Sequence, residues 1–218
     1  MADIRFRFDL DKLVSALAYF STSGITDLTK LKAAKLLYLA DQYHLYRHGR
    51  PITGDRYIAM DLGPVPEDAF QLISRLLEPT EVDDASRRRA LELLVVYRGV
   101  FRRYPILRAR RAPDLDVFSD SEIEALDATI QTHGHTPARA LVDLTHEHRA
   151  YKKANAGRAT GSSVALPYEF FFEDAPDNLR EQAMDRAASY QEALDFADTL
   201  RTVGVTALAE QRKLTTAS

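Results

Sequence analysis

Apolar residues at Leu10, Leu13, Val14, Leu17 and Phe20 recur at three- and four-residue steps behind Asp9. That spacing predicts a helix capped by the aspartate and broken at Gly24. A second helix is expected from Asp27 to His48, with Leu28, Leu31, Leu39, Tyr43 and Tyr46 on one broad face and Gly49 as a left-handed cap. Leu36 and Leu37 widen its apolar stripe, so burial on more than one side is expected.

The pattern then changes period. Thr53-Gly54-Asp55 is a turn signal between Pro51-Ile52 and the strand-forming run Arg56 to Met60, which predicts a short β-hairpin. Asp61-Leu62-Gly63-Pro64-Val65-Pro66 reads as a constrained turn, with Pro66 as the first residue of a helix carrying Phe70, Ile73, Leu76 and Leu77. Pro79 is expected to stop that helix, and residues 80–87 to be polar and exposed. A helix over Ala90 to Val100 and an edge strand over Ile106 to Arg111 are expected next.

Ser119-Asp120-Ser121-Glu122 is a capping box. Ile123, Leu126 and Ile130 follow as a core face, and Gly134 ends the helix. Thr136-Pro137 opens another, with Leu141 and Leu144 turned inward. Asn155 to Ser163 reads as a loop. A last helix is expected from Leu179 to about Arg201, striped by Ala183, Ala187, Tyr190, Leu194 and Ala197, with a polar, frayed tail beyond Gly204.

The chain has 218 residues, is 45% hydrophobic and carries a formal net charge of -3, so it can bury a real core and its overall charge does not favour DNA or an anionic membrane. It has no cysteine, which removes disulfides, zinc ribbons and thiol nucleophiles. No secretory signal region and no membrane-spanning run are read from the sequence, and a cytoplasmic protein is expected. No nucleophile elbow, phosphate loop or dinucleotide fingerprint is present, so no catalytic residue and no cofactor are assigned. His133 and His135, and His146 and His148, invite a metal. Helix-end placement explains the first pair, and a two-residue separation points the second to different faces. No metal site is assigned, and His146 is expected to be a hydrogen-bonded structural residue. Asp83-Asp84 and Glu173-Asp174 are read as solvated loop charges.

The strongest local bias is basic. Nine arginines fall between positions 87 and 111, including Arg98, Arg102 and Arg103, interleaved with Tyr97, Phe101 and Tyr104. Such a mix could hold phosphates and stack bases, dock an acidic protein surface, or be a solvated face neutralised by local carboxylates.

Three blocks, in this order, resemble the Panacea domain of SocA-like antitoxins. They are Lys35 to Leu45 followed by Gly49, Pro51 and Ile52; Tyr57 to Pro66 with its Gly-Pro-Val-Pro; and Phe118 to Asp127 followed by Gly134 and Leu144-Thr145-His146. The match is read over residues 10–172. Tyr151 stands where the family tends to place an aromatic, commonly tryptophan, after the Thr-His pair.

The resemblance implies an α+β, mainly α-helical fold: a single helical domain with a small antiparallel β-hairpin or sheet and a C-terminal helix. Residues 1–172 are expected to form the antitoxin domain and 173–218 a C-terminal helical extension. It implies an antitoxin that neutralises a cognate toxin, encoded by the neighbouring gene, through direct protein contact. No room is seen for a helix-turn-helix domain before Leu10. A protease adaptor, with the tail after Gly204 as its feature, and a DNA-binding autoregulator of its own operon are the alternatives. Nucleic acid is disfavoured, no membrane partner is expected, and a homo-oligomer stays open. The expected docking surface combines Tyr43, His44, Tyr57, Asp61, Leu62 and Pro64, extended by Arg98, Arg102 and Arg103.

Overall fold

The computed structural model describes residues 4–77, 84–99 and 103–216. The chain opens with α1 (Leu10–Thr22), whose first turn is capped by Asp9 Oδ1 accepting from Lys12 N at 3.1 Å. Helix α2 (Lys30–His48) follows, three residues shorter at its start than the periodicity suggests, because Thr29 takes the N-cap position. Gly49 ends it with φ 71, as expected of a left-handed cap.

Helix α2 is the axis of the fold. It is buried nearly all round, including Lys32, Lys35, Asp41, Gln42 and His44. It packs against α3 (Glu67–Leu77), α5 (Asp120–His133), α6 (Ala138–His146) and α9 (Asp177–Thr216). A helix enclosed on every side needs no single apolar stripe, which is why its apolar residues spread around the axis.

The hairpin lies later in the chain than the sequence reading places it. Strands β1 (Tyr57–Met60) and β2 (Gly63–Pro66) pair antiparallel around Asp61-Leu62, in the register Tyr57↔Pro66 to Met60↔Gly63. Neither Asp61 nor Leu62 has positive φ. Gly63, at φ 98, takes the left-handed position that closes a short hairpin. Pro66 is therefore the last residue of β2, and α3 starts at Glu67. The Thr53-Gly54-Asp55 corner is instead bound to α2 and α3. Asp41 accepts from Ile52 N, Thr53 N, Thr53 Oγ1 and Tyr57 OH at 2.6 to 3.0 Å. Asp55 accepts from Asp68 N and Ala69 N, capping α3 from a distance in sequence.

Strand β5 (Val164–Ala165) adds to the other side of β1, so β2 is an edge strand. That position suits two prolines at alternate residues, whose missing N–H groups face away from the ladder.

The expected helix over Ala90 to Val100 divides. Helix α4 (Ala85–Leu93) starts within the stretch read as loop, capped by Asp84, and gives way to β3 (Leu94–Tyr97). The run Leu94-Val95-Val96-Tyr97 favours a pleated strand, and it pairs with β4 (Ile106–Ala109). Strand β4 is not an edge on both sides, since Thr29 bridges Ile106. The expected stop at Pro79 lies outside the described residues.

Helix α5 is capped as read, with Glu122 Oε2 accepting from Ser119 N at 2.9 Å. In α6, Leu141 is buried, but Leu144 is 38% exposed because the helix turns that face to solvent. Helix α7 (Arg149–Asn155) is capped by Asp174, which accepts from Arg149 N and Ala150 N. Asp84 and Asp174 are thus helix caps, since exposed N–H groups at a helix start attract carboxylates.

A short helix α8 (Tyr168–Phe171) and a 3-10 turn (Phe172–Asp174) carry the aromatic centre of the core. Tyr38, Tyr57, Tyr168 and Phe171 meet with ring centroids 5.1 to 5.8 Å apart. Each buried ring contributes about 1.5–3 kcal/mol through burial. Every tyrosine hydroxyl also finds a partner: His148 Nδ1 for Tyr38, Asp41 for Tyr57 and the Asp55 carbonyl for Tyr168.

Helix α9 runs through Gly204 to Thr216. One glycine costs about 1 kcal/mol in a helix and does not by itself end one. Its first part packs on α2, with Ala183 and Ala187 fully buried.

Candidate functional site

The hairpin tip is held from below by a cluster of side chains. Lys35, buried in the middle of α2, donates to the Pro64 carbonyl at 2.8 Å. The lysine fits because residue 63 is glycine: a Cβ there would lie 2.6 Å from Lys35 Nζ and 3.0 Å from Thr145 Oγ1. Tyr151 OH donates to the Met60 carbonyl at 2.9 Å. The His146 ring stacks on Tyr151, with centroids 4.7 Å apart and 7° between planes.

The Lys-, Gly-Pro- and Thr-His-bearing blocks, far apart in sequence, therefore meet at one place. Burial lowers the Lys35 ammonium from 10.5 to about 7. Burial, then the Lys35 charge, also lowers His146. The histidine is not fully hydrogen-bonded as expected: its Nε2 is buried without a partner. The stack on Tyr151 positions it instead.

On the outer side, Asp61 is fastened by Arg158 Nη2 at 2.5 Å and by Gly161 N at 3.0 Å. The Arg158 hydrogen bond, followed by that of Gly161, holds the Asp61 carboxyl below its ordinary range. Leu62, between the two fixed strands, is left 45% exposed. A rigid two-strand frame thus presents one apolar side chain to solvent.

Beside Leu62 lies an open groove of about 310 Å³ lined by Leu31, Phe70, Leu77, Tyr104 and Pro105, with Thr29 and Lys30 completing it. Tyr104 is 58% exposed. Cations stand around this apolar surface. Lys30 Nζ sits 3.3 Å from the Phe70 ring centroid, and the Arg103 guanidinium 5.3 Å from that of Tyr104. Arg98 donates to the Leu77 carbonyl. Arg108 covers Tyr97 at 4.7 Å.

The residues singled out in the sequence do not all come together. Asp61 and Leu62 form the hairpin tip, and Arg98 and Arg103 lie by the groove. His44, Tyr57 and Pro64 are interior residues. His44 bonds the Arg50 carbonyl at 2.7 Å and Ser121 Oγ at 3.0 Å, and burial lowers its pKa to about 4. Tyr57 OH is spent on Asp41, and Pro64 is covered by α2 and α6. Tyr43 is partly buried under Arg47, whose guanidinium is 3.6 Å from its ring. It stands twelve residues along α2 from Leu31, about 18 Å away at the helical rise. Arg102 lies outside the described residues.

The arginine cluster also divides. Arg89 pairs with Asp11 and Glu92, and Arg111 lies 3.6 Å from Glu92, so these two belong to a locally neutralised face. Among the described residues neither Arg98 nor Arg103 has a carboxylate partner.

Leu31, Phe70 and Leu77 are site residues that the sequence reading gives only as members of helical apolar faces. Their helical spacing marks an apolar face but not the edge of that face. A pairing of exposed Leu62 with them requires the hairpin register.

Among the described residues no three or more His, Asp or Glu side chains are grouped as a metal ion would need. No helix among them is long and apolar enough to cross a membrane. Another groove, about 540 Å³, lies between α7, α8 and α9. Its basic groups are occupied, with Lys153 on Glu173 and Arg180 on the carbonyls of Phe172 and Ala175.

Compared with known families, residues 34–152 match the model described as antitoxin SocA-like, Panacea domain. The matched span contains the hairpin and the cluster beneath it, Lys35, Thr145, His146 and Tyr151, while Thr29, Lys30 and Leu31 of the groove precede it. No curated protein and no solved structure matches the chain.

Proposed function

This chain belongs to the SocA-like antitoxin family with a Panacea domain, and from that premise we propose that it neutralises its toxin by direct protein–protein contact through the hairpin face. The observation that carries this reading is the locked hairpin. Lys35, Tyr151, Arg158 and Gly161 all bind residues 60–64 while Leu62 stays exposed. A preorganised surface loses little conformational entropy on binding, which is what a stable inhibitory complex requires.

The contact surface is built from Asp61 and Leu62, extended by Arg98 and Arg103. The toxin is the product of a neighbouring gene, and the chain acts by occlusion without catalysing a reaction. Autoregulation through DNA receives less support from the arginines, because Arg89 and Arg111 are engaged by Asp11 and Glu92.

The test is co-expression with the product of each neighbouring gene, scored for growth and then for co-purification. Rescue with a stable complex is the expected result. Rescue without a complex overturns direct contact and favours an adaptor or repressor role. Absence of rescue with every neighbour overturns the pairing itself.

A further inference from the structure

We propose that α9 pairs antiparallel with α9 of a second copy of this chain, so that the protein is a two-fold homodimer. The inference is independent of how the toxin is held.

Helix α9 outruns the body it packs on. Ala183 and Ala187 are fully buried, and the Tyr190 ring lies 5.7 Å from that of Phe6. From Asp195 to Thr202 every residue except Ala197 is exposed, including Phe196 at 65% and Leu200 at 56%. Here Asp195 accepts from Gln191 Nε2, and Thr199 donates to the Asp195 carbonyl, both within the helix. The helix nevertheless continues to Thr216, a further length of about 33 Å from Asp195. At the centre of that length stands Thr202-Val203-Gly204-Val205-Thr206, a run of weak helix formers. Helices of this length take most of their stability from packing an apolar face, so this one calls for a surface against it.

The sequence supplies the face. Ala193, Phe196, Leu200, Val203 and Ala207 recur at alternating steps of three and four, the spacing of a seam between two helices.

Charge selects the occupant. Residues 189–200 carry Glu192, Asp195 and Asp198 and no cation, whereas residues 201–214 carry Arg201, Arg212 and Lys213 against Glu210 alone. The sign reverses in the middle of the seam, where Asp198 and Arg201 of one helix stand 3.6 Å apart. A second α9 running the opposite way lays its basic half along the acidic half of the first, and the reverse, about one two-fold axis. Parallel pairing sets acid against acid. In the antiparallel register that places Leu200 opposite Val203, the large Phe196 falls opposite the small Ala207.

The experiment uses the full-length chain. Sedimentation equilibrium should give twice the chain mass. Leu200→Asp and Phe196→Asp alter exposed side chains, and an unchanged near-ultraviolet circular dichroism spectrum verifies the fold of the body. Each is expected to raise the dimer Kd at least about tenfold, because a carboxylate would be buried in the seam. Leu144→Asp, on the exposed face of α6, should leave it unchanged. The chain has no cysteine, so introduced ones report orientation. A mixture of Ala193→Cys and Glu210→Cys chains should form a disulfide on oxidation. Neither variant alone should, since the two copies of either position lie about 25 Å apart along the pair.

A monomer at all concentrations would overturn the proposal. So would a dimer indifferent to both aspartates, whose interface must lie elsewhere. Cross-linking of each cysteine variant alone, with none in the mixture, would overturn the antiparallel arrangement and the charge argument with it. A monomer whose α9 gains hydrogen-exchange protection only on adding the toxin would assign the seam to the toxin instead of a second copy.

Discussion

Lys35 Nζ donates to the Pro64 carbonyl at 2.8 Å, joining the middle of α2 to the outer edge of the hairpin. The proline has no N–H on that edge, so its carbonyl is the group the edge offers there. The lysine fills the place where any side chain at position 63 would stand.

This bond has a pH signature. Burial lowers Lys35 from 10.5 to about 7. Between those values the unfolded chain binds more protons than the folded one, so stability rises with pH across that window. Chemical denaturation from about pH 7 to about 9.5 should show a gain on the order of one to a few kcal/mol in the wild type and a flatter profile in Lys35→Met. Equal slopes would show that Lys35 is not desolvated. The window is bounded on both sides. Asp55, raised to about 7 by burial, has the opposite slope below it. The buried Tyr38, Tyr57 and Tyr168 oppose it above about 10.

Gly63→Ala should disable neutralisation more than it disturbs helix content. A Cβ at this left-handed position would meet Lys35 Nζ at 2.6 Å and Thr145 Oγ1 at 3.0 Å. The hairpin would have to shift away from α2, carrying Leu62 with it. Growth rescue should fall while the far-ultraviolet circular dichroism stays near wild type. Full rescue by this variant would show that the hairpin's position is not what the toxin reads.

Asp41→Asn should be strongly destabilising. The carboxylate accepts from two backbone N–H groups, Thr53 Oγ1 and Tyr57 OH. An amide presents one oxygen and two donors, so it turns N–H groups toward existing donors. The expected loss is about 3 kcal/mol, seen as a lower midpoint in urea or heat. A loss below about 1 kcal/mol would mean that the corner at residues 52–57 reorganises freely.

Gly49→Ala should loosen α9. At φ 71 a Cβ is strained, and it would lie 2.4 Å from Arg186 Cβ and 2.7 Å from Ala187 N. Helix α9 would be pushed off the end of α2, at a cost of about 1–3 kcal/mol. Limited proteolysis should then cut within residues 177–190 sooner than in the wild type. An unchanged cleavage pattern would argue that this contact does not hold α9 in place.

Caps and local periods were legible because they depend on neighbours in sequence. Asp9, Gly49 and the Ser119–Glu122 box were read from spacing alone, and each occupies the expected place. Where two short-range signals competed, the reading failed. Thr53-Gly54-Asp55 and Asp61-Leu62-Gly63 both look like hairpin turns. The first became a corner because Asp41 gathers its donors. The second became the turn because β1 and β2 can pair across it.

The sequence by itself determined a mainly helical chain with a small sheet, the order of its family-bearing blocks, and a constrained segment beginning at Asp61. These follow from period, capping chemistry and backbone freedom, all of which act over a few residues. Only the tertiary structure decided which candidates face outward. His44, Tyr57 and Pro64 went inside because Ser121, Asp41 and Lys35, each well separated from them in sequence, satisfy their polar atoms. Leu31, Phe70 and Tyr104 met Leu62 at the surface because the hairpin register and the β3–β4 pairing bring them there. Burial and contact are properties of packed elements, and no local pattern states which edge of an apolar face is left uncovered.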